Sequence, residues 1–313
     1  MLSHKFTAFN TEIVLCSDGF ESQFHSLAQE IEKHAQNFEK RFSRFDSLSE
    51  LEKINGKPGE KIAVSDEMLD LLIQAKKYYE ETKGIFDPTV YGTLNRVGYN
   101  KSFDLLADEN QSESIHNMSE IYNREAKFTF RDVSIDQKKN VLTAPLGLKI
   151  DLGGIAKGYW VDQIKDLLDQ QSSNYWISAG GDIYVKGNGV MNEGWQVAIQ
   201  NPQDLGEDIL SLTVPSQGYG IATSGVTKRQ GIHNGEKWHH IIDPRTDTQV
   251  ENSILSVTVI AKTTTGADIM AKTVLILGIE NGLSMIHGKH DTECVIVDKD
   301  LKMHISKGLI HFL

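Results

Sequence analysis

An acid and a base stand four residues apart in the stretch TTTGADIMAKTVLILG, as Asp268 and Lys272. Around them Ala267, Met270, Ala271, Val274 and Leu277 recur at helical spacing. Residues four apart share a helix face, and an acid ahead of a Lys is the favourable order, so the two can form a helix-supporting ion pair. Just past a Thr-Thr-Thr-Gly turn, the same carboxylate can instead be a metal ligand at a helix N-terminus. The stretch alone leaves both readings open.

Other short segments carry chemistry of a related kind. DLGGIAKGYWVD reads as a strand, a Gly-Gly turn and a helix start. Glycines let backbone approach a ligand, and the first N–H groups of a helix favour an anion. Lys157 falls in that first turn, where a cation is disfavoured unless something negative is near; the alternative is a solvated Lys on a plain turn. SAGGDIYVKG repeats the device with Gly180, Gly181 and Asp182, and ATSG offers the hydroxyls of Thr223 and Ser224. HHIIDPRTD places His240 ahead of an Asp-Pro turn, where loops commonly carry function. GIFDPTV supplies a second such turn, with Phe86 expected to be exposed enough to stack on a planar ring.

These segments need elements to hold them. Residues 6–15 alternate as a strand, and FHSLAQEIEKHAQNFEKRFS follows as a helix with Leu27, Ile31, His34, Ala35 and Phe38 on one face. SDEMLDLLIQAKKYYEETKG is a second helix, capped by Ser65 and ended by Gly84. FTFRDVSID, NVLTAP and LKIDLG read as strands, and GIAKGYWVDQIKDLLDQQ as a helix burying Trp160, Ile164, Leu167 and Leu168. Strands NYWISAGGDIYVKG, WQVAIQNP, ILSLTVPSQGYGIATSG, WHHIIDP and ILSVTVIA precede the Asp268 helix, and ECVIVD and MHIS follow it. Strand groups with helices set between them predict an α+β fold with mostly antiparallel sheets. We expect one domain over residues 1–313, with a polar excursion at 99–122.

The chain has 313 residues, 39% hydrophobic and 24% charged, as in ordinary globular proteins. Its 32 Lys and Arg stand against 43 acids, a formal charge of −11, which argues against an extended nucleic-acid-binding surface. Cys16 and Cys294 lack metal or redox spacing. No secretory signal, lipid-attachment site or membrane span is read, so a cytoplasmic location without membrane insertion is expected.

The segments DLGGIAKGYWVD, SAGGDIYV, ATSG, HIIDPRT and TGADIMAKTVLILG occur in the order in which they are found in the FAD:protein FMN transferase family, the ApbE family, which the sequence resembles from about Phe6 to Ile279. SRFDSLSELEKIN and GIFDPTV resemble its upstream signatures. The resemblance implies an ApbE-type fold with T-fold-like layers and a reaction: FMN moves from FAD to a Thr or Ser hydroxyl of an acceptor protein, and AMP is released. It implies Mg2+ as the metal. It assigns Asp151 and Lys157 to FAD, with Phe9, Gly180, Gly181, Asp182, Thr223, Ser224, His240 and Ile241. Phe45 and the segment Ile85, Phe86, Asp87 match positions bordering the flavin or adenine. The Gly154 carbonyl, Thr265 and Asp268 are assigned to the metal and His240 to the hydroxyl proton, with His240 and Asp268 as the catalytic residues.

The sequence departs from that pattern at three places. Lys272 stands where the family usually has a Thr or Ser metal ligand, Asp247 where a Gly often follows DPRT, and FNT at 9–11 where MGT is common. Two other activities fit the same motifs, an FAD-binding or storage protein and a pyrophosphatase that splits FAD to FMN and AMP.

Overall fold

The computed structural model describes residues 1–99, 101, 128–191, 193–233 and 236–313. Apart from residues 99 and 101, the expected polar excursion at 99–122 lies outside the described residues. In chain order the elements begin with β1 (Leu2–Ala8), β2 (Thr11–Ser17), α1 (Glu21–Phe42), α2 (Glu50–Asn55), β3 (Ile62–Ala63), α3 (Asp66–Glu81) and α4 (Tyr91–Arg96). They continue with β4 (Ser134–Asp136), β5 (Val141–Thr143), α5 (Ala156–Leu168), β6 (Tyr175–Ala179), β7 (Asp182–Lys186), β8 (Trp195–Gln200), β9 (Asp208–Val214) and β10 (Tyr219–Gly225). The last group is β11 (Gln230–His233), β12 (Glu236–His239), β13 (Ile242–Asp243), β14 (Thr248–Gln249), β15 (Ile254–Ala261), α6 (Thr264–Leu277), α7 (Ile279–His287), β16 (Glu293–Asp298) and β17 (Met303–Ile305).

These elements form two compact units. The first comprises Met1–Glu39, Gly154–Lys228 and Glu251–Leu313, the second Lys40–Gly153 and Arg229–Val250. The first is built on an eight-stranded sheet in the order β1-β2-β6-β7-β10-β15-β16-β17. Every neighbouring pair in it is antiparallel, as the α+β expectation requires. β15 is buried along nearly its whole length, the mark of a central strand covered on both faces. The β8–β9 hairpin covers one face, where Trp195, Val197, Ile199, Leu212 and Val214 pack with Ile221, Ile260 and Val295. Helix α6 lies against β10 and β15, and α5 against β6, β7 and α6.

The second unit holds α2, α3 and α4, the three-stranded sheet β3-β5-β4, and the small hairpins β11–β12 and β13–β14. Ser65 caps α3, accepting the Met68 amide at 3.2 Å, and Met68, Leu71, Leu72, Ala75 and Tyr79 form its buried stripe.

Six strand expectations change. NYWISAGGDIYVKG is the β6–β7 hairpin, and ILSLTVPSQGYGIATSG is the two strands β9 and β10. Residues 6–15 are the two strands of a hairpin, because Phe9 and Asn10 take φ of 56° and 54° and make the tight turn that fits a twisted hairpin. In FTFRDVSID, a capping box between Thr129 and Asp132 winds Phe130–Asp132 into a 3-10 turn, leaving only Ser134–Asp136 as strand. Among the described residues LKIDLG pairs with no strand; the Asn55 amide bonds both Ile150 N–H and C=O, at 2.8 and 2.9 Å, in place of a ladder. WHHIIDP breaks at His240, between β12 and β13.

Candidate functional site

In the first unit, α5 begins with Ile155 at its N-cap, which makes no side-chain capping bond. An apolar residue there leaves the helix start to other partners. Lys157 is in the first turn, and the negative partner its position calls for is Asp182, with which it forms an ion pair. Its ammonium also reaches the Ala179 carbonyl at 3.4 Å. The second Gly-Gly pair is different from the first. Gly180 and Gly181, at φ 63° and 99°, are the turn of the β6–β7 hairpin, and no helix follows them. A Cβ on Gly180 would collide with the Thr11 side chain, so this turn needs glycine for space as well as for conformation. What the turn achieves is the delivery of Asp182, buried at the head of β7, to Lys157.

Helix α6 starts quite differently. Thr263 caps it, accepting the Gly266 amide at 3.1 Å. The carboxylate of Asp162, from α5, accepts the amides of Thr264 and Thr265 at 2.8 and 2.9 Å and the Thr265 hydroxyl at 2.5 Å. A Cβ on Gly158 would lie 2.8 Å from the Thr265 Cα, so α5 and α6 meet here backbone to backbone. Further along α6, Lys272 Nζ donates to Asp268 Oδ1 at 2.6 Å. The pair faces inward more than out: the side chains are 20% and 8% exposed.

Burial pushes the Asp182 carboxyl above the usual carboxylate range, against the pull of Lys157; Asp268 pushes it further up and Lys272 draws it down. Two carboxylates and two ammoniums therefore lie within electrostatic reach of one another. Burial also raises the Asp162 carboxyl, opposed by its bonds from Thr265 and Thr264. Lys228 is held below the ordinary lysine range by burial and then by Lys157. It joins the same positive surroundings, with Nζ donating to Gln200 Oε1 at 2.7 Å. Of the nearby hydroxyls, Thr223 shares a 2.8 Å hydrogen bond with Thr258, and Ser224 is buried in β10.

Phe9, in the β1–β2 turn, rests edge-on against Trp160 and Phe38, ring centroids 5.2 and 5.9 Å away.

The second unit gathers aromatic rings about a buried guanidinium. Arg44 stacks on Phe45 and Tyr99, 4.5 and 4.6 Å from their centroids. It approaches Asp151 at 3.5 Å and donates to the Tyr99 carbonyl at 2.6 Å. Tyr99 in turn stacks on Trp238 and meets His240 edge-on at 6.3 Å. The His240 Nδ1 lies 3.4 Å from the Arg229 carbonyl; a carbonyl only accepts, so in this bond Nδ1 carries the proton and the basic lone pair is on Nε2. Phe45 is half exposed, at 40%. Phe86 is not: it is 5% exposed, because its amide is tied to Thr82 and its ring belongs to the core. The expected exposed Phe86 ring is thus corrected. Ile85 and Ile241 are buried as well. Asp87 is occupied locally, accepting the amide and hydroxyl of Thr89 at 2.9 and 2.7 Å, and Asp151 accepts the Gly153 amide at 2.7 Å.

Asp247 has φ 61°, so it occupies the left-handed conformation for which glycine is usual and which Asp tolerates. Its carboxylate binds Thr93 and Arg96 of α4, a clamp that a glycine has no side chain to make.

The structure therefore joins Lys157, Asp182, Asp268 and Lys272 in one unit, and Phe45, Asp151 and His240 in the other. Sequence reasoning missed Asp162, Arg44, Tyr99 and Lys228. Asp162 closes the quoted motif DLGGIAKGYWVD and Arg44 precedes Phe45, so both were within sight, but their partners are distant in sequence.

The sequence pattern of the ApbE family matches residues 7–296. The chain is 27% identical over 278 residues to an FAD:protein FMN transferase of Haemophilus influenzae, covering 87% of this chain and 78% of that one. It is 29% identical over 293 residues to an FAD:protein FMN transferase of Vibrio cholerae, covering 92% and 85%. The crystal structure of the ApbE protein from Thermotoga maritima superposes with a TM-score of 0.84 at 25% identity, covering 99% of this chain and 98% of that one. With a family match across both units and a shared antiparallel α+β architecture, the chain belongs to the ApbE family.

Proposed function

We propose that this chain transfers FMN from FAD to a Ser or Thr hydroxyl of an acceptor protein, forming a phosphoester and releasing AMP. The observation that carries the reading is the start of α5, a glycine-preceded helix N-terminus without a side-chain cap, with Lys157 held beside it by Asp182. Backbone donors and a fixed ammonium suit a pyrophosphate, and phosphoryl-type transfer depends chiefly on positioning and charge neutralisation. In this assignment Lys157 and the α5 amides bind the pyrophosphate. Phe45, the Ile85–Asp87 segment and Asp151 border the rings of FAD. His240 takes the hydroxyl proton through Nε2, a role suited to an imidazole nitrogen.

Magnesium is assigned by the family resemblance to Asp268, Thr265 and the Gly154 carbonyl. The side chains around Asp268 do not fit a resident divalent ion. Its Oδ1 is held at 2.6 Å by the Lys272 ammonium, a positive charge standing where a further ligand is expected. A protonated Lys has no lone pair to give a metal. No step of the mechanism is therefore routed through the ion.

Incubation of the purified chain with FAD and a peptide bearing a Ser/Thr flavinylation segment should add the mass of FMN to the peptide. His240→Ala should lower that transfer by about a hundredfold or more while FAD binding persists. AMP release without any acceptor would identify a pyrophosphatase instead. FAD binding with neither product would identify a storage protein.

A further inference from the structure

Lys272 occupies the place at which a metal ligand is expected, and its surroundings specify what it does there. Asp182 and Asp268 are 3% and 6% exposed. Two buried carboxylates so close would repel strongly if unneutralised. Lys157 answers the first and Lys272 the second, and the quartet of two acids and two bases carries no formal net charge. Two of the three N–H donors of Lys272 point within its own helix, to Asp268 Oδ1 at 2.6 Å and the Asp268 carbonyl at 3.4 Å. The third can meet a phosphate oxygen, and the side chain is partly open to solvent.

Resting on FMN transfer as the reaction, we propose that the Lys272 ammonium is the built-in cation of this site, neutralising the FAD pyrophosphate in place of a divalent metal. The arriving diphosphate carries more negative charge than the single Asp268 carboxylate that holds Lys272. Lys272 then leans from Asp268 towards the phosphate oxygens on its flexible stem. In the transfer, the acceptor oxygen bonds to the FMN phosphorus while its proton passes to a base. The bond from that phosphorus to the bridging oxygen breaks, and AMP leaves with the electron pair. Charge accumulates on the phosphoryl oxygens and on the departing AMP. An ammonium tethered to the chain stabilises both without a coordination shell to assemble. Asp268 in this arrangement positions Lys272 and is not a metal ligand.

The test uses the full chain stripped of metal, with FAD and riboflavin titrated calorimetrically in EDTA and in excess magnesium. The parent should bind FAD about equally in both. Lys272→Thr, which restores the expected metal ligand, should lose about tenfold or more in FAD affinity in EDTA, the size of one charge-assisted phosphate contact. Magnesium should restore it, and riboflavin affinity should not change. Lys272→Arg, which keeps the charge, should remain independent of magnesium. A gain of magnesium dependence cannot arise from misfolding. Parent FAD binding that collapses in EDTA, or Lys272→Thr binding that matches the parent there, would overturn the proposal. Peptide flavinylation run alongside separates the two readings. Its absence in both conditions counts against FMN transfer alone, because the affinity pattern decides the role of Lys272 by itself.

Discussion

Helices α5 and α6 begin side by side in the same unit, yet their first turns are treated in opposite ways. The α6 donors are satisfied from within: the Thr263 hydroxyl takes one amide, and Asp162 takes two amides and a hydroxyl. At α5 the cap is Ile155, which contributes no side-chain acceptor, and two glycines precede it. One helix start is sealed for stability; the other is left suitable for an anion. The lesson is that a glycine-rich or threonine-rich approach to a helix does not by itself mark a binding site. What decides is whether another element supplies a carboxylate.

Asp162→Ala gives the largest expected effect on this contrast. It strips the α6 start of a buried acceptor and should cost about 3 kcal/mol in urea denaturation, combining a lost cap with unsatisfied buried donors. FAD affinity should not fall in proportion. If it does, the α6 start is itself part of the anion site and the contrast between the two first turns fails.

Gly158→Ala comes next. The added methyl would press on the Thr265 backbone at 2.8 Å and the Thr264 carbonyl at 2.9 Å, an overpacking cost of about 2 kcal/mol. A neutral outcome would show that the two helices can part without loss.

The smallest effect is in pH dependence. Burial raises the Asp162 carboxyl above its ordinary 3.8, despite the opposing Thr265 and Thr264 bonds. Over the range from 3.8 up to the raised value, the folded chain keeps a proton that the unfolded chain has lost. This group therefore makes stability fall as pH rises through that range, and leaves it flat above. Asp162→Asn should remove that descending limb, measured as the parent-minus-variant difference across an acid-to-neutral denaturation series. A difference independent of pH would mean that Asp162 ionises normally in the fold.

Much of the architecture was legible because its signals are local. Ser65 opening α3, the period of α5, and the apolar run Ile254–Ala261 of β15 each depend on neighbours in sequence. The misreadings share a cause as well. The Phe9–Asn10 turn has no glycine to announce it, and Ile150 is held by Asn55 rather than by a strand. In the site, Asp268 and Lys272 could be paired from their spacing alone. That Lys157 answers Asp182 could not, since a hairpin turn and a helix start must first fold to bring them together. Arg44 and Asp162 carried no signal at all in isolation; their roles exist only through Tyr99, Phe45, Thr264 and Thr265.

The pairing of β2 with β6 has a consequence for how the protein is made. Ile13 to Ser17 pair with Ala179 to Tyr175, across about 160 residues of intervening chain. At roughly 5–20 residues per second, a ribosome needs on the order of ten seconds to deliver β6 after β2. During that interval β2 has β1 on one side and an unpaired edge on the other, while the segment Lys40–Gly153 emerges between them. An exposed edge is a template for pairing with the wrong chain. Early synthesis, rather than the finished fold, is where this protein is most exposed to aggregation, and chaperone capture of nascent chains should be greatest before residue 175 emerges.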